Sequence, residues 1–483
     1  MDEMLLLKRD SRSSISFSPL KKMATFPLPK QSSIDFQKSW LLHNMSKIVM
    51  VILYYCCTAL MVSSTLTHYQ TYPIMVRIAK SAAMGINVNL AIITIPVTRN
   101  LISQLRASSL NYILPLKHCM YLHTMAGWHI VYFSIVHVAA HCINYLDIAN
   151  VYGEFDNKMP LVLLLTTLPG YTGLLLSLFT FLMMSALPLK KHHFELFYYS
   201  HKLAVPIMLI SMVHGIGCFV NTFIGMSCHY YSYKFIPLGL SLHIMDILVN
   251  KWTKRLETSI LSHEWINNDT IKVVFKSHGK TFKVGSFLFL NVPEISKYQY
   301  HPYTITRFDN DTFTLEIKAC GEWSNRLLRL IDFDLSKVMI EGPYSSTSVD
   351  LTAFNTLLLI GQGIGVTPFK CLLNQVINEY ESGCTAIPKI ELVNLFKSEE
   401  DEKLLDVTHF HQNIPHINIK TFTRDGHWPP NFNDIFGSIY NTMQNQKIGV
   451  FVCGSESLAN LVELKCLEYS SNDRQFIFTN ESF

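Results

Sequence analysis

The chain predicts an all-α bundle of six membrane-spanning helices, followed by a cytosolic β-barrel and then an α/β nucleotide-binding domain. Three observations predict it. Apolar segments of crossing length crowd the first half. Alternating, strand-length runs replace them after about residue 256. Near residue 361 a glycine-rich turn joins a buried-strand run to a helix-like stretch.

The chain has 483 residues, 49% hydrophobic and only 16% charged, a balance that suits a membrane protein with a soluble part. Runs near the ~20 residues needed to cross a bilayer cover 47–66, 82–103, 123–145, 160–187, 196–218 and 235–250. Ser63, Ser64, Asn87 and Asn89 dilute the first two and blur their limits. Ahead of them, residues 1–46 are expected to be a cytosolic tail or a surface helix, being polar and lacking the apolar core of a cleaved signal. A lipid bilayer is therefore an expected partner, and nucleic acid is not.

Basic residues orient the bundle. Lys8, Arg9, Arg12, Lys21, Lys22, Lys30, Lys38 and Lys47 lead it, and Arg99, Arg106 and Lys117 precede the third span. Lys190 and Lys191 precede the fifth, and Lys251, Lys254 and Arg255 follow the sixth. The loop around Asp147, Glu154, Asp156 and Lys158 is net acidic. Both termini are expected in the cytosol. Eleven scattered cysteines make no disulfide scaffold and no C-x-x-C zinc pattern. Cys218 and Cys228 fall in one outward loop, where a bridge can form, whereas Cys320, Cys371, Cys384, Cys453 and Cys466 are expected as reduced cytosolic thiols.

Histidines mark the bundle. His123 and His137 lie fourteen positions apart on the third span, His201 and His214 thirteen apart on the fifth. Along a helix this separates the imidazoles by roughly 20 Å, enough to stack two flat prosthetic groups through a membrane. Imidazole is a common axial ligand of haem iron, and bis-histidine ligation suits electron transfer. Fourteen steps of 100° return to within about 40° of the same face, but thirteen leave a divergence of about 140°. The fifth span must therefore bend, and Pro206 can supply the distortion. One intramembrane histidine alone is as readily structural or proton-handling as ligating. Four at matched depths weigh against that.

Residues 257–350 read as a small all-β unit, with TIKVVF, SFLFLNV and FTLEIKA as strands. Within it HPYTIT, His301–Thr306, could offer a flat ligand a stacking face and hydroxyls, although a plain edge strand has the same pattern. Beyond, TLLLI is a buried-strand run, GQGIG follows, and VTPFKCLLNQVINEY opens a helix with Thr367 near its cap and Pro368 in its first turn. Such a turn brings backbone amides to a pyrophosphate, but G-x-G-x-G is not the G-x-G-x-x-G fingerprint. IGVFVCG supplies a second strand ending at Cys453 and Gly454, which makes a nucleotide crevice the better reading. No D-x-D-x-D-G loop is present for calcium.

In order, IPVTRNL, HTMAGWHIVYFSIVHVAAH, YYSHKLAVPIMLISMVHG, HPYTIT, CGEWSNRL, EGPY, LIGQGIGVTPF, FVCGSESLA and FIFTNESF make the chain, from about residue 47 to Phe483, resemble the NADPH oxidase catalytic subunits of the ferric reductase superfamily. The resemblance implies a di-haem membrane domain (47–250), an FAD-binding β-barrel (251–350) and an NADPH-binding α/β domain (351–483). It pairs His123 with His201 at an inner haem b and His137 with His214 at an outer one. It puts His141 and Lys80 beside the reduced dioxygen, Lys80 standing where arginine is commoner, and leaves His129 as a packing residue. Flavin falls to His301, Pro302, Tyr303 and Thr304, with Lys318, Gly321, Trp323 and Ser324 near its pyrophosphate. NADPH falls to Gly361, Gly363, Gly365, Thr367, Pro368, Cys453 and Gly454, and Phe483 would shield the flavin.

Departures from the family pattern are specific. Trp428, Pro429 and Pro430 replace a G-R-P step, leaving Lys397 and Arg424 as partners for a 2'-phosphate. Ser345 follows EGPY in place of glycine, and Ile207 stands where some members carry an aromatic between the haems. The expected activity is oxidation of NADPH through FAD and two haems, with superoxide formed from dioxygen beyond the membrane. A ferric or cupric chelate reductase and a degenerate, partner-binding scaffold are the rivals. A small membrane partner, cytosolic activators and a plasma-membrane location are compatible with the resemblance.

Overall fold

The computed structural model describes residues 33–152, 159–216, 225, 230–331, 337–345, 354–383, 387–405, 416–424, 430–442, 446–471 and 474–480. Cys218, Cys228, Cys384, Trp428, Pro429 and Phe483 lie outside them. The described residues divide into two compact units, one within Met45–Thr253 and one built from the flanking segments.

The membrane unit is helical throughout. Its helices are α1 (Ser33–His68), α2 (Ile74–Ile92), α3 (Arg99–Arg106), α4 (Cys119–Tyr152), α5 (Met159–Thr166), α6 (Leu168–Ser185), α7 (Phe194–His201), α8 (Ala204–His214) and α9 (Ser232–Val249). Six stretches are long and apolar enough to cross a bilayer: His43–His68, Ile74–Val97, Leu116–Ile148, Leu168–Lys190, Phe194–His214 and Ser232–Lys254. The protein is thus an integral, multi-pass membrane protein. Large apolar side chains such as Trp128, Ile135 and Phe181 point outward, as a lipid-facing surface requires.

Several limits differ from the sequence expectation, each for a physical reason. α1 is continuous from Ser33, so residues up to 46 are in part the start of a long helix rather than a tail. The second crossing begins at Ile74, not 82, because its polar residues face inward. It is 61% buried where the other five are 11–17% buried, which makes α2 the enclosed helix of the bundle. Asn89 accepts a hydrogen bond from the Tyr54 hydroxyl and donates to the Gly85 carbonyl at 2.8 Å. Pro96 then ends the span in a 3-10 turn, Ile95–Val97, before 103 is reached. The expected 160–187 helix is two: Thr167 caps α6 by accepting the Gly170 N–H at 3.2 Å, with Pro169 in the first turn. The fifth crossing is interrupted at Lys202 and Leu203, four residues before Pro206, whose ring and missing N–H act on that carbonyl.

Close approach to α2 needs small residues. A Cβ on Gly239 of α9 would lie 2.8 Å from the Ala91 carbonyl and 2.9 Å from that of Leu90, while Thr94 Oγ1 donates to the Gly239 carbonyl at 2.9 Å. Asp246, two turns on, accepts the backbone N–H groups of Arg99 and Asn100 at 3.0 and 2.9 Å and so caps α3.

The second unit has two sheets. Strands β1 (Arg255–Thr258), β2 (Ile260–Asn267), β3 (Thr270–Lys276), β4 (Ser286–Asn291), β5 (His301–Phe308), β6 (Thr312–Lys318) and β7 (Val338–Ser345) pair in the order β1-β7-β4-β5-β6-β3-β2. Every pairing is antiparallel. Its two edges are consecutive in the chain, so this curled half-barrel has a chain corner at Ser259 in place of the last ladder of a closed barrel. Helix α10 (Glu322–Leu330) packs Trp323, Leu327 and Leu328 into its core.

Strands β8 (Thr356–Gln362), β9 (Lys389–Phe396), β10 (Ile417–Thr423), β11 (Gln446–Cys453) and β12 (Arg474–Asn480) form a wholly parallel sheet in the order β10-β9-β8-β11-β12. Helix α11 (Thr367–Glu381) covers one face, over Leu357, Leu359 and Leu392. Helices α12 (Phe432–Thr442) and α13 (Glu456–Tyr469) cover the other, over Leu358 and Ile360. Strand order reverses between β8 and β11, the position where such sheets open a ligand crevice.

Gly239→Leu should destabilise the membrane unit by about 1–3 kcal/mol, because two backbone carbonyls cannot yield. Thermal unfolding in detergent reads this; an unchanged midpoint would show that α9 does not approach α2 so closely.

Candidate functional site

The helices bring the four predicted histidines together as two pairs. His123 of α4 faces His201 of α7 with ring centres 6.0 Å apart, and His137 of α4 faces His214 of α8, also at 6.0 Å. The break before α8 resolves the thirteen-residue mismatch, since it lets the two imidazoles of that crossing turn separately toward α4. With metal–nitrogen bonds of about 2 Å and each nitrogen about 1 Å from its ring centre, imidazoles sharing one ion have centres about 6 Å apart. Each pair therefore has the spacing of two imidazoles that share one ion.

Hydrogen bonds fix the tautomers of three rings. His123 Nδ1 lies 2.8 Å from the Ile93 carbonyl, and His137 Nδ1 lies 2.9 Å from that of Ala79. Carbonyls only accept, so Nδ1 carries the proton and Nε2 keeps its lone pair for a ligand. Thr172 Oγ1 donates to the Leu168 carbonyl and so accepts from His214 Nδ1 at 2.8 Å. His201 Nδ1 is buried without a protein partner. Among the described residues no group of three or more His, Cys, Asp or Glu side chains could hold a metal.

His141 follows His137 by one turn, ring centres 4.6 Å apart, and its Nδ1 is buried without a protein partner. Lys80 follows Ala79 on α2, has its ammonium 5.8 Å above the Tyr69 ring, and interacts electrostatically with both His137 and His141. His129 bonds the Met125 carbonyl at 2.8 Å and packs edge-on against Tyr54 and Tyr55, in keeping with a packing role. Ile207 is buried in α8.

In the half-barrel, β5 and α10 meet. His301 stacks on Trp323 with centres 4.2 Å apart and planes inclined by 23°. Trp323 is buried, and its indole N–H has no hydrogen-bond partner among the described residues. Thr304 is buried, Tyr303 lies half-buried against the core, its phenol pushed up by desolvation, and Pro302 is exposed. Ser324 Oγ accepts the N–H groups of Cys320 and Gly321 at 2.9 and 3.0 Å, so it organises the loop before α10. Lys318 is engaged with Asp269 at 3.3 Å and Asp401 at 3.5 Å. These residues fit a flat, partly stacked ligand, with Lys318 already committed to carboxylates.

The switch-point crevice gathers the glycines. Gly361 pairs in register with Cys453, placing both strand ends side by side. Gly363 has φ +56°, a left-handed conformation that favours glycine. A Cβ on Gly365 would strike the Cys453 carbonyl, and one on Gly454 would come within 2.8 Å of Gln362 Cβ. Gln362 Oε1 accepts the Ser455 N–H at 2.8 Å and ties the two turns together. The 3-10 turn Gly363–Val366 leads into α11, which Thr367 and Pro368 open. Ser455 caps α13 at the same sheet edge, so two positive helix ends converge there. Phe396 pairs with Thr423, so Lys397 and Arg424 emerge together at the ends of β9 and β10. Nothing local in the sequence marks Ile93, Ala79, Thr172 or Gln362, which act through spatial contacts.

Residues 82–212 match the ferric reductase like transmembrane component family, and residues 253–348 match an FAD-binding domain. The chain is 25% identical to NADPH oxidase 1 of Rattus norvegicus over 560 aligned positions, 93% of this chain and 98% of that protein. Over nearly its whole length the chain is thus similar to an NADPH oxidase. A superoxide-generating NADPH oxidase heavy chain of Dictyostelium discoideum is 27% identical, covering 75% of each chain. Ferric reduction oxidase 2 of Arabidopsis thaliana is 27% identical over 66% of this chain and 42% of that one. Among solved structures, ferredoxin-NADP+ reductase from Plasmodium falciparum aligns with 47% of this chain and 96% of its own, at 13% identity and a TM-score of 0.38. The FAD-binding match and the NADPH oxidase relatives support FAD and NADPH as its soluble cofactors.

Burial holds His301 at about 4, below its ordinary 6.5. Between those values the unfolded chain binds the proton and the folded one does not, so folding loses stability as pH falls from 6.5 toward 4. His301→Phe, which keeps an aromatic ring on Trp323, should flatten that part of the unfolding profile of flavin-free protein. An unaltered slope would show that His301 does not titrate there.

Proposed function

We propose that this chain is a transmembrane NADPH oxidase, passing electrons from NADPH through FAD and two b-type haems to dioxygen across the bilayer, with superoxide as product. The observation that carries this reading is the pair of 6.0 Å imidazole couples on α4, three of whose four rings have Nδ1 occupied. When bound, FAD accepts hydride and returns single electrons, and haem takes them one at a time.

Each residue then has a task. His123 with His201 would hold the inner haem, and His137 with His214 the outer one, through imidazole nitrogens. Lys80 and His141 offer positive charge and protons to the anion formed beside the outer pair; a lysine does so as a point charge where arginine would be a fork. His301, Pro302, Tyr303 and Thr304 would surround the flavin ring, with Trp323 near its pyrophosphate. Lys318, Gly321 and Ser324 border its pyrophosphate. Gly361, Gly363, Gly365, Thr367, Pro368, Cys453 and Gly454 would line the NADPH crevice, Lys397 and Arg424 would meet the 2'-phosphate, and Phe483 would shield the flavin.

The domain limits follow as 47–250, 251–350 and 351–483. The basic loops favour a cytosolic side for both termini, and a plasma-membrane site would release the product outward. An electron crossing 100 mV carries about 2.3 kcal/mol of electrical work, so a proton must follow it through this chain or a partner in the membrane.

Purified protein loaded with haem and FAD in liposomes should consume oxygen and form superoxide on adding NADPH. Brisk reduction of a ferric chelate under argon with negligible oxygen uptake would instead assign it to the metal reductases, the activity named for its Arabidopsis relative. His214→Leu should lose one of two haem equivalents and nearly all oxygen reduction, while NADPH still bleaches the flavin. Two haems retained in that variant would refute the ligand assignment.

A further inference from the structure

The soluble unit contains a buried ion pair that belongs to neither cofactor motif yet joins the elements carrying both. Lys370 lies on the first turn of α11, directly after the GQGIG turn, and is 8% exposed; Glu316 lies on β6, two residues before Lys318, and is 5% exposed. Lys370 Nζ donates to Glu316 Oε1 and, at 2.7 Å, to the Leu404 carbonyl. The same seam holds Asp401, which accepts from Asn267 Nδ2 at 3.1 Å and pairs with Lys318 at 3.5 Å. The charges thus run from the half-barrel to the parallel sheet.

Burying such a pair seldom adds stability, because apolar side chains of similar volume often do as well. What it adds is a single geometry, since two charges in a dry seam tolerate no sliding. β6 leads within a few residues to Cys320, Gly321 and Trp323, and α11 opens at Thr367 and Pro368. A shift of the seam would therefore move the flavin border against the nucleotide crevice.

We propose that Lys370 and Glu316 are positioning residues that set the approach of nicotinamide to flavin. This rests on the oxidase reading above. In the step concerned, the C4–H bond of the nicotinamide breaks and hydrogen leaves with both electrons to the flavin, so NADPH is oxidised as FAD is reduced. A misplacement of about 1 Å can slow such a transfer on the order of a hundredfold.

The test uses the full-length, FAD-loaded protein under anaerobic conditions, with flavin bleaching followed after mixing with NADPH or NADPH deuterated at C4. Replacing both residues, Lys370→Met with Glu316→Leu, should leave flavin content, NADPH affinity and melting midpoint close to the parent. Bleaching should slow about ten- to hundredfold, with a changed isotope effect. The exchanged pair, Lys370→Glu with Glu316→Lys, should recover part of the rate. Glu316→Gln, which keeps a hydrogen bond without the charge, should fall between and serves where the double replacement folds poorly. Parent-like rates and isotope effects in these variants would overturn the proposal. So would a rate loss matched by equal loss of flavin or NADPH binding. Failure of the unaltered protein to bleach with NADPH would overturn the oxidase reading itself and this inference with it.

Discussion

The separation of paired imidazoles is the constraint on which the membrane unit depends. A ligand nitrogen is useful only if its ring can neither swing nor change tautomer, and the fold secures this through Nδ1. Both α4 histidines use carbonyls from α2 or its end, Ala79 and Ile93, so one helix sets the height of both pairs. The two carbonyls are available for different reasons. Ala79 lies inside α2, where its oxygen has a second lone pair beyond any helical bond. Ile93 lies just past the helix end, and Val97, the residue that would continue the ladder to it, bonds Thr94 instead. Pro96 thus does more than end a span: by turning the backbone aside it leaves an acceptor for His123. The enclosure of α2 accords with this, since a helix that anchors two of the four imidazoles must itself be fixed on several sides.

On the opposite side the solution is less symmetric. Two histidines thirteen residues apart cannot face one partner helix from an unbroken crossing, and the interruption at Lys202–Leu203 divides the task between α7 and α8. Thr172 reaches His214 from α6, with Gly173 beside it leaving a Cβ-sized space 3.3 Å from the imidazole edge. His201 has no such anchor, so its orientation is left to packing, including Phe197 at 5.0 Å. The pair nearer the start of α4 is accordingly the less rigidly specified of the two.

Periodicity and length made much of this architecture legible. Apolar runs revealed six crossings, histidine spacing demanded a bend in the fifth, and strand-length alternation marked the change to a soluble unit. The GQGIG and FVCG runs revealed a parallel sheet whose strand order reverses between them. Helix limits were less legible where polar residues turned inward, as Asn87 and Asn89 do, or where a cap such as Thr167 divided one apolar run into two helices. The soluble β unit read as a barrel, because pairing order does not reveal whether the last ladder closes. The supporting contacts were illegible for a deeper reason. A carbonyl at Ala79, a hydroxyl at Thr172 and an ion pair between Glu316 and Lys370 gain meaning only from partners 42 to 58 residues away.

Lys318 shows what the seam implies for the flavin. The family resemblance puts this basic residue before the CGEW loop near the flavin pyrophosphate, yet its ammonium lies between Asp269 and Asp401. A pyrophosphate brought there meets two carboxylates and one ammonium, so it gains Lys318 only in competition with Asp401. Asp401 belongs to the nucleotide lobe and is also held by Asn267 of the half-barrel. Taking Lys318 from it weakens one bond of the seam and leaves the other, while Lys370 and Glu316 keep their contact. On the reading proposed above, Lys318 would thus link the flavin border to the nucleotide lobe, while the buried Lys370–Glu316 pair keeps the two in contact.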